Sequence, residues 1–143
     1  IIRYADKSIN KIFEEGGEGH FRSIEKKIIF GLIEQKNIIL SLGGGAILSK
    51  SIRNELRKKS ITLFLDVSLQ NIEKRLNRSN NRPLLKNANI KNKVKELDST
   101  RRKYYLLADI TIKNFLSPFN TCQDIIKKLT NFHEKTHSNN NQR

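Results

Sequence analysis

The sequence predicts an α/β domain in which helices flank a parallel sheet. Short, nearly all-apolar runs such as Ile38-Ile39-Leu40-Ser41-Leu42 suit strands buried on both faces. Between them lie segments with apolar residues at helical spacing, so strands and helices alternate. A glycine triplet, Gly43-Gly44-Gly45, follows the first apolar run, and in open α/β sheets the carboxyl ends of strands face ligands.

The elements follow in chain order. Ser8 to Glu15 reads as a short helix with Ile9, Ile12 and Phe13 inward. A glycine turn, Gly16-Gly17-Glu18-Gly19, separates it from a helix over Phe21 to Gln35. That helix turns Ile24, Ile28, Leu32 and Ile33 inward and places Glu25, Lys26, Lys27 and Glu34 on its other faces. Residues 38–42 form the first strand, Ser51 to Lys58 a short polar helix, and Ile61 to Val67 a second strand. Strand, helix and strand at this spacing form a βαβ unit. Ser68 to Arg78 is helical, with Leu69, Ile72 and Leu76 inward, and a polar break reaches Pro83. Asn89 to Leu107 is helical, Asp109 to Ile112 is a strand, and Thr121 to Phe132 is a helix facing inward through Ile125, Ile126 and Leu129. Residues 1–132 then make one domain, and 133–143 a polar, disordered tail with three consecutive Asn.

Composition narrows the function. The 143 residues carry 28 Lys and Arg against 14 Asp and Glu, a net charge of +14, which points to an anionic partner or a tolerant basic surface. One cysteine, Cys122, excludes a disulfide framework and a cysteine zinc site. No apolar run reaches the length of a membrane span and no secretory signal opens the chain, so the expected location is the cytoplasm. The chain contains no Met and opens on Ile1 without a helix cap; the expectation is that a segment lies upstream.

Several groups of residues suit chemistry. The glycine triplet lets backbone N–H groups approach an anion, or serves as a tight turn without ligand. It lacks both the dinucleotide spacing and the Lys-Ser or Lys-Thr of a phosphate loop. Arg75, Arg78 and Arg82 sit at a helix end and in the loop before Pro83, where arginine forks suit phosphate oxygens or a solvated basic face. Arg22 stands near a helix start, where the dipole disfavours cations; it serves an anion or pairs with Glu18 or Glu25. The run Arg101-Arg102-Lys103-Tyr104-Tyr105 fits an amphipathic helix, or a basic surface for nucleic acid. His133 and His137 are four apart but begin a polar tail, so no metal is expected.

In order, these segments resemble the shikimate kinase family. Ser8 to Phe13, Gly17-Glu18, Phe21-Arg22 and Glu25 look like its substrate-domain signature. Ser41 to Ala46 looks like its glycine triplet, and Arg75-Leu76-Asn77-Arg78 with Arg82-Pro83-Leu84-Leu85 is similar to its lid. Arg101 with Tyr105, then Ala108-Asp109, resembles its last substrate-binding helix and the strand after it. The resemblance covers about Ile1 to Leu129 and implies a P-loop kinase-like fold of the nucleoside-monophosphate-kinase-like group, with the first strand and the phosphate loop absent from these residues. It further implies transfer of the ATP γ-phosphate to the 3-hydroxyl of shikimate, with Mg²⁺, by a cytoplasmic monomer without a membrane or specific nucleic-acid partner. Arg22 and Arg101 are implied as a carboxylate clamp, Gly44 as a backbone donor to substrate, and Gly43 and Gly45 as the residues shaping that turn. Arg82 is implied as the catalytic lid arginine over the ATP phosphates, assisted by Arg78. Neither the phosphate loop nor the acidic residue at the reacting hydroxyl stands in the 143 residues, so Mg-ATP lacks its cradle here. Lys103 replaces the usual Pro. The alternatives are a related small-molecule kinase with another substrate, such as a sugar acid, and a basic nucleic-acid-binding module.

Overall fold

A computed structural model describes residues 1–76, 89–113 and 117–140. Helix α1 (Ile2–Ala5) ends at Asp6, whose φ of 49° lets the chain turn into α2 (Ile9–Leu32). Ser8 caps α2 by accepting the Lys11 N–H. The two helices expected on either side of a glycine turn are thus present as two helical segments of α2 that meet at Gly17, across a break shorter than the turn expected over residues 16–19. Only Gly17, at φ 66° and ψ −171°, leaves helical geometry. One residue of glycine freedom is enough to break the helix and redirect the chain.

The buried face of α2 is Phe21, Glu25 and Ile29, continued by Ile33. It is rotated from the expected stripe, so Glu25 lies inside and Ile24, Ile28 and Leu32 are half-buried. Ile29 and Ile33 meet Ala46, Ile52 and Leu56 in the main core cluster.

Residues 38–42 do not form a strand, which corrects the βαβ expectation. Ile39 is fully exposed and the segment has no ladder partner among the described residues. An apolar run becomes a strand only when a neighbour takes its backbone groups. The observed parallel pair is β1 (Leu63–Asp66) with β2 (Ile110–Lys113), in register Leu63 to Ile110 through Asp66 to Lys113. β1 is not buried on both faces as expected, since Leu65 is exposed; β2 is the more buried strand, with Ile110 and Ile112 inside. Asp109 pins their entry: one carboxylate oxygen accepts from the Thr62 N–H (2.8 Å) and the Thr62 hydroxyl (2.6 Å). The Asp109 N–H returns a bond to Thr62 Oγ1 at 3.0 Å.

After the glycine triplet a single 3₁₀ turn (Ala46–Leu48) leads into α3 (Lys50–Lys59), capped by Ser49. Helices α4 (Leu69–Leu76) and α5 (Ile90–Tyr105) pack on each other, and α5 also meets the 3₁₀ turn. Helix α6 (Pro118–Asn140) packs on β2 and continues through 133–140, past the expected end at Phe132. Ile126 is exposed on α6 rather than inward, while Ile125 and Leu129 are half-buried.

Candidate active site

The kink at Gly17 carries the second part of α2 past the glycine turn, and α4 and α5 close the other side. Together they enclose a cleft of about 460 Å³, within the roughly 300–1,000 Å³ usual for small-molecule sites. Its polar end gathers Arg22, Glu25, Gly43, Gly44, Gly45, Arg101 and Tyr105. Phe13 and Phe21 of α2 wall another side, their rings 4.9 Å apart. Leu69, Ile72 and Leu76 of α4 turn their half-buried side chains into the same cleft.

Arg22 is held by carboxylates on its own helix. Its Nη1 donates to Glu25 Oε2 at 2.6 Å, while Nε and Nη2 donate to Glu18 Oε1 at 3.2 and 3.0 Å. Partial burial lowers the Arg22 pKa, but its hydrogen bonds to Glu25 and Glu18 outweigh it and hold the guanidinium above the ordinary arginine value. Arg22 is therefore cationic at any pH where the fold persists.

The glycines are here because side chains approach their backbone. A Cβ at Gly43 would lie 2.5 Å from Glu25 Oε1, and one at Gly45 would overlap the Arg22 guanidinium. At Gly44 a Cβ would meet Tyr105 Oη at 3.0 Å and Arg101 Nη1 at 3.4 Å. The Tyr105 hydroxyl donates to the Gly44 carbonyl at 2.6 Å, and its ring stacks on Phe64 of β1, 5.1 Å between centroids. Arg101 Nε is buried and has no hydrogen-bond partner among the described residues. A buried, unpartnered guanidinium N–H is costly, and an anion in the cleft would satisfy it.

Five sequence-expected residues, Arg22, Gly43, Gly44, Gly45 and Arg101, thus line one cleft. Arg78 and Arg82 lie outside the described residues. Glu25 was placed on an outer face, yet its side chain is only 4% exposed and holds Arg22. The signal was present: Glu25 follows Phe21 and precedes Ile29 by four residues each, with a cation three positions before it. The basic run on α5 divides by helical geometry. Arg101 and Tyr105 face the cleft, Arg102 forks onto Asp66 at 3.2 and 2.9 Å, and Tyr104 lies under Arg53. Among the described residues no group of three or more His, Cys, Asp or Glu side chains could hold a metal ion.

A family model described as shikimate kinase matches residues 1–130. A shikimate kinase of Bartonella quintana is 31% identical over 144 residues, covering 99% of this chain and 69% of its own length. One from Caldicellulosiruptor saccharolyticus is 38% identical over 127 residues, covering 88% and 74%. Among solved structures, the shikimate kinase of Acinetobacter baumannii in complex with shikimate superimposes with a TM-score of 0.83 at 29% identity. It spans 94% of this chain and 74% of that one. The Aquifex aeolicus enzyme gives 0.77 at 32% identity, spanning 90% and 76%.

A parallel sheet among helices, with a glycine turn and two arginines lining one cleft, thus places the molecule in the α/β kinase class. Within that class the chain belongs to the shikimate kinase family.

Proposed function

We propose that the cleft binds shikimate and that the protein serves its phosphorylation at the 3-hydroxyl by ATP. The observation that carries this is Arg101, whose buried Nε has no hydrogen-bond partner among the described residues and which lines the same cleft as Arg22 and the glycine turn. A ring carboxylate supplies the missing acceptor, and two arginines bind it with defined geometry. The exposed backbone of Gly44 offers its N–H to a substrate oxygen, since no Cβ stands in the way. The walls of Phe13, Phe21 and the α4 leucines suit the carbon ring.

Glu25 has a positioning role here. Its carboxylate fixes the Arg22 fork before substrate arrives, so little ordering is left to binding. The Acinetobacter relative, solved with shikimate, supports this assignment of the cleft.

The family resemblance assigns Arg82, with Arg78 beside it, to the ATP phosphates, where an arginine stabilises charge on the transferring group. Mg²⁺, when bound with ATP, would supply positive charge that offsets the charge developing on the phosphates. Among the described residues no cluster of three or more His, Cys, Asp or Glu offers the ion a protein cage, and no step here is assigned to it. The same reading makes the protein a cytoplasmic monomer without a specific nucleic-acid partner; no described helix is long and apolar enough to cross a membrane.

Calorimetry with shikimate and its methyl ester tests the reading. Saturable heat with shikimate and at least roughly tenfold weaker binding of the ester are expected, since the ester loses the charge that both arginines recognise. Equal binding of the two, or none of either, overturns it.

A further inference from the structure

The glycine turn has almost no side chains with which to anchor itself, yet the cleft depends on where its backbone lies. Ala46 is buried and Tyr105 holds the Gly44 carbonyl. The third tie comes from α3. Arg53 Nη1 donates to the Ile47 carbonyl at 2.7 Å and to the Leu48 carbonyl at 2.8 Å. Its guanidinium carbon also lies 4.0 Å from the ring centroid of Tyr104 on α5. That distance is within the range of a cation–π contact.

We infer that Arg53 is a positioning residue for substrate binding: it fastens the turn after the glycine triplet to the helix that carries Arg101 and Tyr105. It touches no residue assigned to the substrate and acts through two neighbours. On one side its Nη1 holds the Ile47 and Leu48 carbonyls at the exit of the 3₁₀ turn, which is closed by the Leu48 N–H donating to the Gly45 carbonyl (3.1 Å) and the Ser49 N–H to the Ala46 carbonyl (3.1 Å). On the other it sits on Tyr104, adjacent in sequence to Tyr105 and three residues past Arg101. Arginine suits the task because one planar group donates in its plane and stacks through its face. Lysine offers a point charge and no stacking plane. Glycine-rich backbone has the most freedom to lose on ordering, so an external tie matters more here than in an ordinary turn.

This inference rests on the shikimate reading of the cleft, and its test separates the two. Amide hydrogen exchange at Ala46, Leu48 and Ser49 reports the tie without any ligand. Calorimetry with shikimate reports its consequence. In R53K, exchange at these amides is expected to quicken roughly tenfold while amides in the centre of α2 keep their rates, and shikimate Kd to rise by roughly tenfold. Tyr104→Leu, which removes only the stacking partner, should shift both in the same direction by less. R53K should keep its melting temperature within a few degrees, which a role confined to stability would not reconcile with the lost affinity. Unchanged exchange in R53K overturns the inference whatever shikimate does. Quickened exchange with unchanged affinity overturns the substrate-positioning claim. Failure of the unsubstituted chain to bind shikimate overturns the functional reading, and this inference with it.

Discussion

Arg22 has two jobs that one substitution would confound. It faces the cleft, and it neutralises Glu25, which is buried beside Gly43. Arg22→Ala should therefore weaken shikimate binding by about 1.5–3 kcal/mol, roughly 10- to 150-fold in Kd. It should also lower stability by about 1–3 kcal/mol, because a buried carboxylate is left without its cation. Adding Glu25→Gln removes that orphan charge. The double variant should recover much of the melting temperature and none of the affinity, as read by thermal unfolding and calorimetry. Recovery of affinity would show that Arg22 acts only through the fold. At this scale the sequence was informative for cations and glycines, whose chemistry is local. It was less so for Glu25: of the expected stripe Ile24, Ile28, Leu32 and Ile33, only Ile33 lies in the buried row, and the other three are one helical position away from it.

Among the elements, the β1–β2 pair depends on a polar latch at its entrance. Asp109 takes two bonds from Thr62 and returns one, so the strands begin in register before their ladder starts. Asp109→Ala removes both accepted bonds from a solvent-facing site and should cost about 1–2 kcal/mol. The loss appears as a lower urea midpoint with an unchanged slope; a changed slope would mean that the pairing itself had been lost. Helix positions were legible because their hydrogen bonds are internal and their periodicity is written in neighbouring residues. The strand at 61–67 was legible too, within two residues at its start and one at its end. Residues 38–42 were not: they carry the same apolar signal as β1, but strand formation is decided by a remote partner, which periodicity does not report. The break at Gly17 was legible, but its length was not. Three glycines in four residues suggest a turn, yet packing of Ile12 and Phe21 on the two sides of the kink keeps the rest helical.

Over the whole molecule the outstanding property is a net charge of +14, and the question is whether that charge forms a binding face. The basic residues are spread over α2, α3, α5 and α6, and many are engaged by carboxylates on their own or neighbouring elements. Lys59 reaches Glu34 and Glu55, Lys93 reaches Glu96, Arg102 reaches Asp66 and Asp98, and Lys128 reaches Asp124. A nucleic-acid reader instead concentrates its cations in one stripe, with free forks and stacking aromatics. Tyr104 and Tyr105, the aromatics in the basic run, are already stacked on Arg53 and Phe64. The excess charge should then act as a diffuse field, drawing anions in at low salt without selecting among them. Anisotropy titrations with two labelled DNA duplexes of unrelated sequence test this. Both should bind equally, and between about 50 and 200 mM salt their affinity should fall by roughly 10³-fold or more if six or more phosphates are engaged. Shikimate presents one charge to a partly desolvated pair of arginines, so its Kd should change by less than roughly threefold over the same range. A sequence-selective duplex that survives the higher salt would move the basic surface from background to function. A shikimate affinity that collapses in parallel with the duplexes would mean that its binding is part of the diffuse field and not of the cleft.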